Sequence, residues 1–207
     1  MRKKTGKYLI GIDEVGRGAL AGPVTVAAVL LPKKFQISKS KLQIKTKLRD
    51  SKKLTLKQRE IWFKYIKNHP KIFYATASVC PKIIDRINVS RAANLAAVRA
   101  FKKLISISNL SSNQASVFLD GGLFLKGSNF ENFSKRTIVK GDEKIVAITL
   151  ASIMAKVTRD NNMKRRNKNY PVYSFFMHKG YGTKNHFREI DIFGISRMHR
   201  LSFLSKN

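Results

Sequence analysis

The sequence predicts an α/β fold, and three features lead to it. Short apolar runs rich in β-branched residues recur along the chain, bounded by glycine, proline or an acid. Stretches between them repeat their apolar residues at helical spacing. The apolar fraction, 43% of 207 residues, suits a globular protein with one sizeable core. Neither an internal repeat nor a low-complexity linker divides the chain, so a single domain over residues 1–207 is expected.

Residues 8–12 form the first apolar run and lead straight into Asp13 and Glu14, as in a buried strand with function at its tip. Gly16, Gly18 and Gly22-Pro23 punctuate a loop, and residues 24–31 read as a second buried strand ended by Pro32. The Lys-rich, aperiodic segment 33–53 reads as a surface loop. Thr55 and Gln58 have capping-box spacing, which opens a helix running to about Lys67. Residues 72–79 give a third strand, and Pro81 starts a short helical turn. Between 90 and 105, Ala92, Ala93, Leu95, Ala96, Val98 and Phe101 share one helical face. Residues 115–119 form a fourth strand that also ends on an acid, Asp120, and 137–139 a fifth, followed by Lys140-Gly-Asp142. A long helix over 144–167 and a last one, N-capped by Thr183 and closed by Gly194, complete the set.

Charge narrows the partners. Lys and Arg number 42 against 12 Asp and Glu, a formal net charge of +30, and an excess of that size attracts polyanions, nucleic acid first among them. Cys80 is the only cysteine, which excludes an intramolecular disulfide and a Cys-based metal cluster and fits a reduced, cytoplasmic setting. The basic N-terminus lacks the apolar run of a secretory signal, and the longest apolar stretches, 24–31 and 145–155, are too short to span a bilayer. A soluble, monomeric protein without membrane association is expected.

In so basic a chain, acids stand out individually. Asp13-Glu14, Asp120 and Asp142 all sit where short strands end, and strand ends in an α/β sheet project into a common crevice. Four converging carboxylates repel one another unless something neutralises them, and hard divalent cations with oxygen ligands do so. Two such ions suit phosphodiester chemistry. Spacing alone leaves a second reading open, in which each acid is a solvated loop residue or a helix cap.

The residues around those acids carry a resemblance. Gly11-Ile-Asp-Glu-Val-Gly-Arg-Gly18 with Leu20-Ala-Gly-Pro23, then Asp50-Ser-Lys-Lys-Leu54, Leu119-Asp-Gly121 and Lys140-Gly-Asp142, resemble the motifs of ribonuclease HII in that family's order. Ala151-Ser-Ile-Met-Ala-Lys156 with Arg159-Asp160, His178-Lys-Gly-Tyr-Gly-Thr183 with His186, and His199-Arg-Leu-Ser-Phe203 continue it over about residues 8–203. The resemblance implies a ribonuclease H-like fold with a mixed central sheet flanked by helices. It makes Asp13, Glu14, Asp120 and Asp142 the catalytic, metal-binding acids, holding Mg2+ or Mn2+, with two ions expected in the presence of substrate. Gly16, Arg17 and Gly18 correspond to the loop that senses a ribose 2′ hydroxyl, and Tyr181 to the tyrosine that packs on the sugar past the RNA–DNA junction. Ser152 and Lys156 fall where contacts to substrate phosphate are expected. The implied substrates are RNA–DNA hybrids and duplex DNA with embedded ribonucleotides, cut 5′ of the ribonucleotide.

The chain departs from the pattern at Leu150, where a small residue is more usual, and at Arg197, where proline is. It ends soon after Phe203, so no C-terminal extension is expected, and the short stretch before the first strand disfavours the related ribonuclease HIII. His178, His186 and His199 read as structural, Cys80 as a small buried residue and Trp62 as core. Two other readings compete: a ribonuclease H-like nuclease of another kind, such as a junction resolvase, and a non-catalytic basic protein that binds nucleic acid.

Overall fold

The computed structural model describes residues 6–36, 48–49, 51–127 and 130–204. Five strands form one mixed sheet: β1 (Tyr8–Val15), β2 (Val24–Pro32), β3 (Phe73–Val79), β4 (Ala115–Asp120) and β5 (Ser134–Ile138), in the spatial order β3-β2-β1-β4-β5. The β1–β2 and β2–β3 pairs are antiparallel, whereas β1–β4 and β4–β5 are parallel. Parallel pairing requires crossovers, and the segments between β1 and β4 provide helices for both faces of the sheet.

The helices are α1 (Leu56–Asn68), α2 (Pro81–Ile87), α3 (Val89–Ser108), α4 (Gly141–Lys144), α5 (Val146–Asn167), α6 (Phe175–His178), α7 (Lys184–Phe193) and α8 (Leu201–Leu204). Strand alternation divides the core. Val24, Val26, Ala28 and Leu30 of β2 face the alanine-rich side of α3, while Ala27, Val29 and Leu31 face α5 and α1. Trp62 lies in that second core at 1% exposure. The small residues Ala92, Ala93, Ala96, Ala97 and Ala100 line α3, and Phe101 and Leu104 fill the space they leave.

Most elements match their expected places, with informative shifts. Thr55 caps α1 through the capping box that its spacing with Gln58 predicts. The first strand runs three residues past its apolar run. Asp13 and Glu14 are therefore strand residues, still paired with Ala27 and Val26 of β2, although the β1–β4 ladder ends at Ile12–Leu119. The long helix expected over 144–167 starts at Val146, separated from the short α4 by extended Ile145. Cys80 is exposed at the start of α2. Leu150 is fully buried in the core between α5 and α1, so the larger side chain is absorbed by packing. Asp50 and most of the expected 33–53 loop lie outside the described residues. No helix among the described residues is long and apolar enough to cross a membrane.

Candidate active site

Parallel neighbours β1 and β4 end at the same edge of the sheet, and their register puts Asp13 beside Asp120, one step past the Ile12–Leu119 pair. Glu14 follows in the chain. Carboxylate oxygens of Asp13, Glu14 and Asp120 lie within 4.8 Å of one another. Asp142 stands outside this trio but is tied to it, since the N–H of neighbouring Gly141 donates to Asp120 Oδ1 at 2.8 Å. Thr149 Oγ1 donates to the Asp142 carbonyl at 2.7 Å and holds the turn. A cleft of ≈530 Å³, lined in part by Arg49, Lys53, Asp142, Glu143 and Lys144, opens beside it.

Asp13 and Glu14 are held under electrostatic stress. Burial first, then the charges of Glu14 and Asp120, push the Asp13 carboxyl well above the usual range, against the lowering effect of the Ser152 hydroxyl. Glu14 is also raised, by burial first, with Arg17 opposing; the Arg17 Nε lies 3.5 Å from Glu14 Oε1. Glu14 Oε2 is buried with no hydrogen-bond partner among the described residues. An oxygen-only set with an unsatisfied buried carboxylate oxygen is what a hard divalent cation completes, so the residues fit Mg2+ or Mn2+. Lys52 approaches Asp142 Oδ2 at 3.9 Å, but its side chain is 83% exposed and contributes little neutralisation.

The other expected site residues fall close by. Gly16 has φ +86°, and a Cβ there would overlap the Arg159 side chain, so the turn after the acids requires glycine. The Tyr181 ring lies beside the Arg159 guanidinium (5.2 Å to the ring centroid) and Lys156 Nζ (5.7 Å). Lys156 also bonds Asp160 at 2.9 Å. Ser152 is turned inward, with its hydroxyl 2.7 Å from Ser51 Oγ and near enough to Asp13 to favour its ionised form. Ser51 is a member of the site that sequence reasoning did not single out. Arg59 holds its loop by donating to the carbonyls of Ser51 and Leu54.

The family model of Ribonuclease HII matches residues 10–206. The chain belongs to the ribonuclease HII family. It is 41% identical over 203 residues to the Ribonuclease HII of Bacillus mycoides (strain KBAB4), covering 98% of this chain and 71% of the relative. It is 44% identical over 198 residues to that of Endomicrobium trichonymphae, covering 95% and 85%. The crystal structure of ribonuclease H2 from Pyrococcus horikoshii OT3 superposes with a TM-score of 0.67 at 22% identity, covering 94% of this chain and 93% of that one, a likeness of fold. As a ribonuclease HII the chain is a hydrolase, an endonuclease of the ribonuclease H type acting on nucleic acid, from a family that depends on divalent metal.

The three motif histidines are packed together inside the C-terminal segment, His178 stacked on His186 and His199 tilted against it. The Ser196 N–H donates to His199 Nδ1 at 2.9 Å, so His199 carries its proton on Nε2 and gives it to His186 Nε2 at 3.1 Å. His186 Nδ1–H then donates to the Tyr181 carbonyl at 2.9 Å. Burial lowers His186 to about 4. The unfolded chain takes up this proton near pH 6.5 and the folded protein only near 4, so the stabilisation is full above 6.5 and is lost as pH falls through that window. The melting temperature is expected to fall by about 5 °C between pH 7 and pH 5. His186→Gln should flatten that slope, and equal slopes in the two proteins would disprove the assignment.

Proposed function

We propose that this ribonuclease HII cuts the phosphodiester on the 5′ side of a ribonucleotide embedded in duplex DNA, and the RNA strand of RNA–DNA hybrids. The observation that carries the reading is the trio of buried Asp13 and half-buried Glu14 and Asp120, with Asp142 alongside and the 16–18 loop directly after Glu14-Val15. The four acids would hold the metal, with two ions when substrate is bound. A divalent cation held by these oxygens supplies Lewis-acid stabilisation of the charge that develops during hydrolysis. The Glu14 N–H donates to Asp13 Oδ1 and the Gly141 N–H to Asp120 Oδ1, each at 2.8 Å, which orients both carboxylates for a metal.

Water attacks the phosphorus, the bond to the 3′ oxygen breaks, and that oxygen takes a proton, leaving a 3′ hydroxyl and a 5′ phosphate. Glycines at 16 and 18 let the backbone approach the sugar closely, where the 2′ hydroxyl both donates and accepts. Tyr181 stacks on the following deoxyribose, backed by Arg159. Lys156, beside the Tyr181 ring, would contact substrate phosphate, and Ser152, though its hydroxyl meets Ser51, would do so from the start of α5. The net charge of +30 supplies sequence-independent affinity for the duplex. Such an enzyme would act as a monomer in the cytoplasm, removing misincorporated ribonucleotides and RNA primers.

The test is end-labelled duplex DNA with one ribonucleotide, incubated with Mg2+ and separately with EDTA, beside an all-DNA duplex. A single metal-dependent nick 5′ of the ribonucleotide, absent from the control, is expected. Equal cutting of the all-DNA duplex, or no cutting in either Mg2+ or Mn2+, would overturn the proposal.

A further inference from the structure

Two arginines, Arg159 and Arg200, are fully buried, and among the described residues neither forms an ion pair with a carboxylate. Both spend their donors on backbone carbonyls of one loop. Arg200 donates from Nη2 to Gly16 O at 2.7 Å, from Nη1 to Arg17 O at 2.8 Å and from Nε to Gly22 O at 3.0 Å. Arg159 donates to Ala21 O at 3.1 Å, Pro23 O at 2.9 Å and, from the other side, Lys179 O at 2.9 Å. Burying two cations this close together is costly without carboxylate partners, and burial followed by the charge of Arg159 pulls Arg200 down to about 9. A fold that tolerates this cost uses both guanidinium forks to hold a backbone shape.

The shape has a direction. No peptide bond among the described residues is cis, and in a planar trans peptide the N–H points opposite to the C=O. Carbonyls 16 and 17 face inward onto Arg200, so the N–H groups of Arg17 and Gly18 face outward. Gly18 is exposed, and a Cβ placed on it meets nothing within 4 Å, so the loop is open to solvent at Gly18. Hydrogen bonding at a carbonyl also polarises the N–H of the same peptide. Arg200 therefore both aims and strengthens the two donors.

We propose that Arg200 is the positioning residue for ribonucleotide selection, gripping the Gly16 and Arg17 carbonyls from beneath so that the Arg17 and Gly18 N–H groups meet the ribose 2′ oxygen. Arg159 adds the link to the Tyr181 segment, so both sugar-reading elements rest on one buried pair. This inference rests on the reading that the 16–18 loop senses the 2′ hydroxyl.

Arg200→Lys keeps the charge and loses the fork. The readout is the ratio of kcat/KM for a duplex with one ribonucleotide to that for the same duplex with a 2′-fluoro nucleotide at that position. The variant is expected to lower this ratio at least about tenfold, the scale of one lost hydrogen bond, while Mn2+ binding to the acid trio is unchanged. A folded variant whose ratio stays within about twofold of wild type overturns the proposal. Asp85 anchors the chain just beyond Arg200, accepting from the N–H groups of Leu201 and Ser202 at 3.0 Å each. If Arg200→Lys does not fold, Asp85→Ala loosens the same grip from the surface. It should lower the ratio by about threefold, and an unchanged ratio there is equally fatal. A wild-type enzyme that cuts both duplexes at the same rate would defeat the reading of the loop itself, separately from Arg200.

Discussion

Asp13→Asn is expected to lower cleavage more than about 100-fold, beyond the usual cost of losing a residue that merely supports a metal ligand. Binding to the duplex should survive, since the basic surface supplies it. Stability should move the other way. The folded pKa of Asp13 is raised above its unfolded value, so ionising it in the fold is penalised. That penalty is absent below the ordinary carboxylate range, grows as pH rises toward the raised value, and is fully present above it. Metal-free Asp13→Asn, which carries no charge to bury, should therefore melt at or above the wild-type temperature at the upper end of that window. Saturating Mg2+ or Mn2+ should raise the wild-type melting temperature by about 5 °C or more and leave the variant nearly unmoved. The paired measurement is calorimetry with and without metal beside the nicking assay. More than about a tenth of normal activity in the variant would sink the assignment of Asp13 as a metal ligand.

Gly11→Ala is expected to be the most damaging small substitution in the sheet. A Cβ on Gly11 would overlap the backbone of Ala147 and Ile148, because β1 and the start of α5 touch there through main chain. Backbone cannot rotate out of the way as a side chain can, so α5 must move off the sheet. We expect a loss of at least about 3 kcal/mol, the upper end of ordinary overpacking, read as the shift of a denaturant midpoint. The same displacement would carry Ser152 away from Asp13, so metal affinity should fall in whatever fraction still folds. A loss under about 1 kcal/mol would show that the two backbones separate more easily than their packing indicates.

Some of this molecule was legible residue by residue. The nearly unbroken apolar run from Val24 to Leu31 marks a strand buried on both faces, and Thr55 with Gln58 marks the start of α1, because run length and capping are local properties. Scarce acids after short apolar runs pointed to the metal site, since strands that end at one edge of a sheet deliver their side chains to one crevice. Other features could not be read that way. Gly11 looks like any strand glycine until α5 is laid on it. Ser51 gains a role only when it meets Ser152, 101 residues away. Arg200 meets Gly16 across 184 residues, and in a chain with 42 basic side chains nothing local marks it as buried. The sequence by itself determined the α/β elements and the family, and it singled out the acids as candidate ligands. Only the tertiary structure decided which backbones touch, how Asp13 is held and what supports the 16–18 loop. The physical reason is that periodicity and capping act between neighbours along the chain, whereas close approach and the burial of a charge depend on segments that only folding brings together.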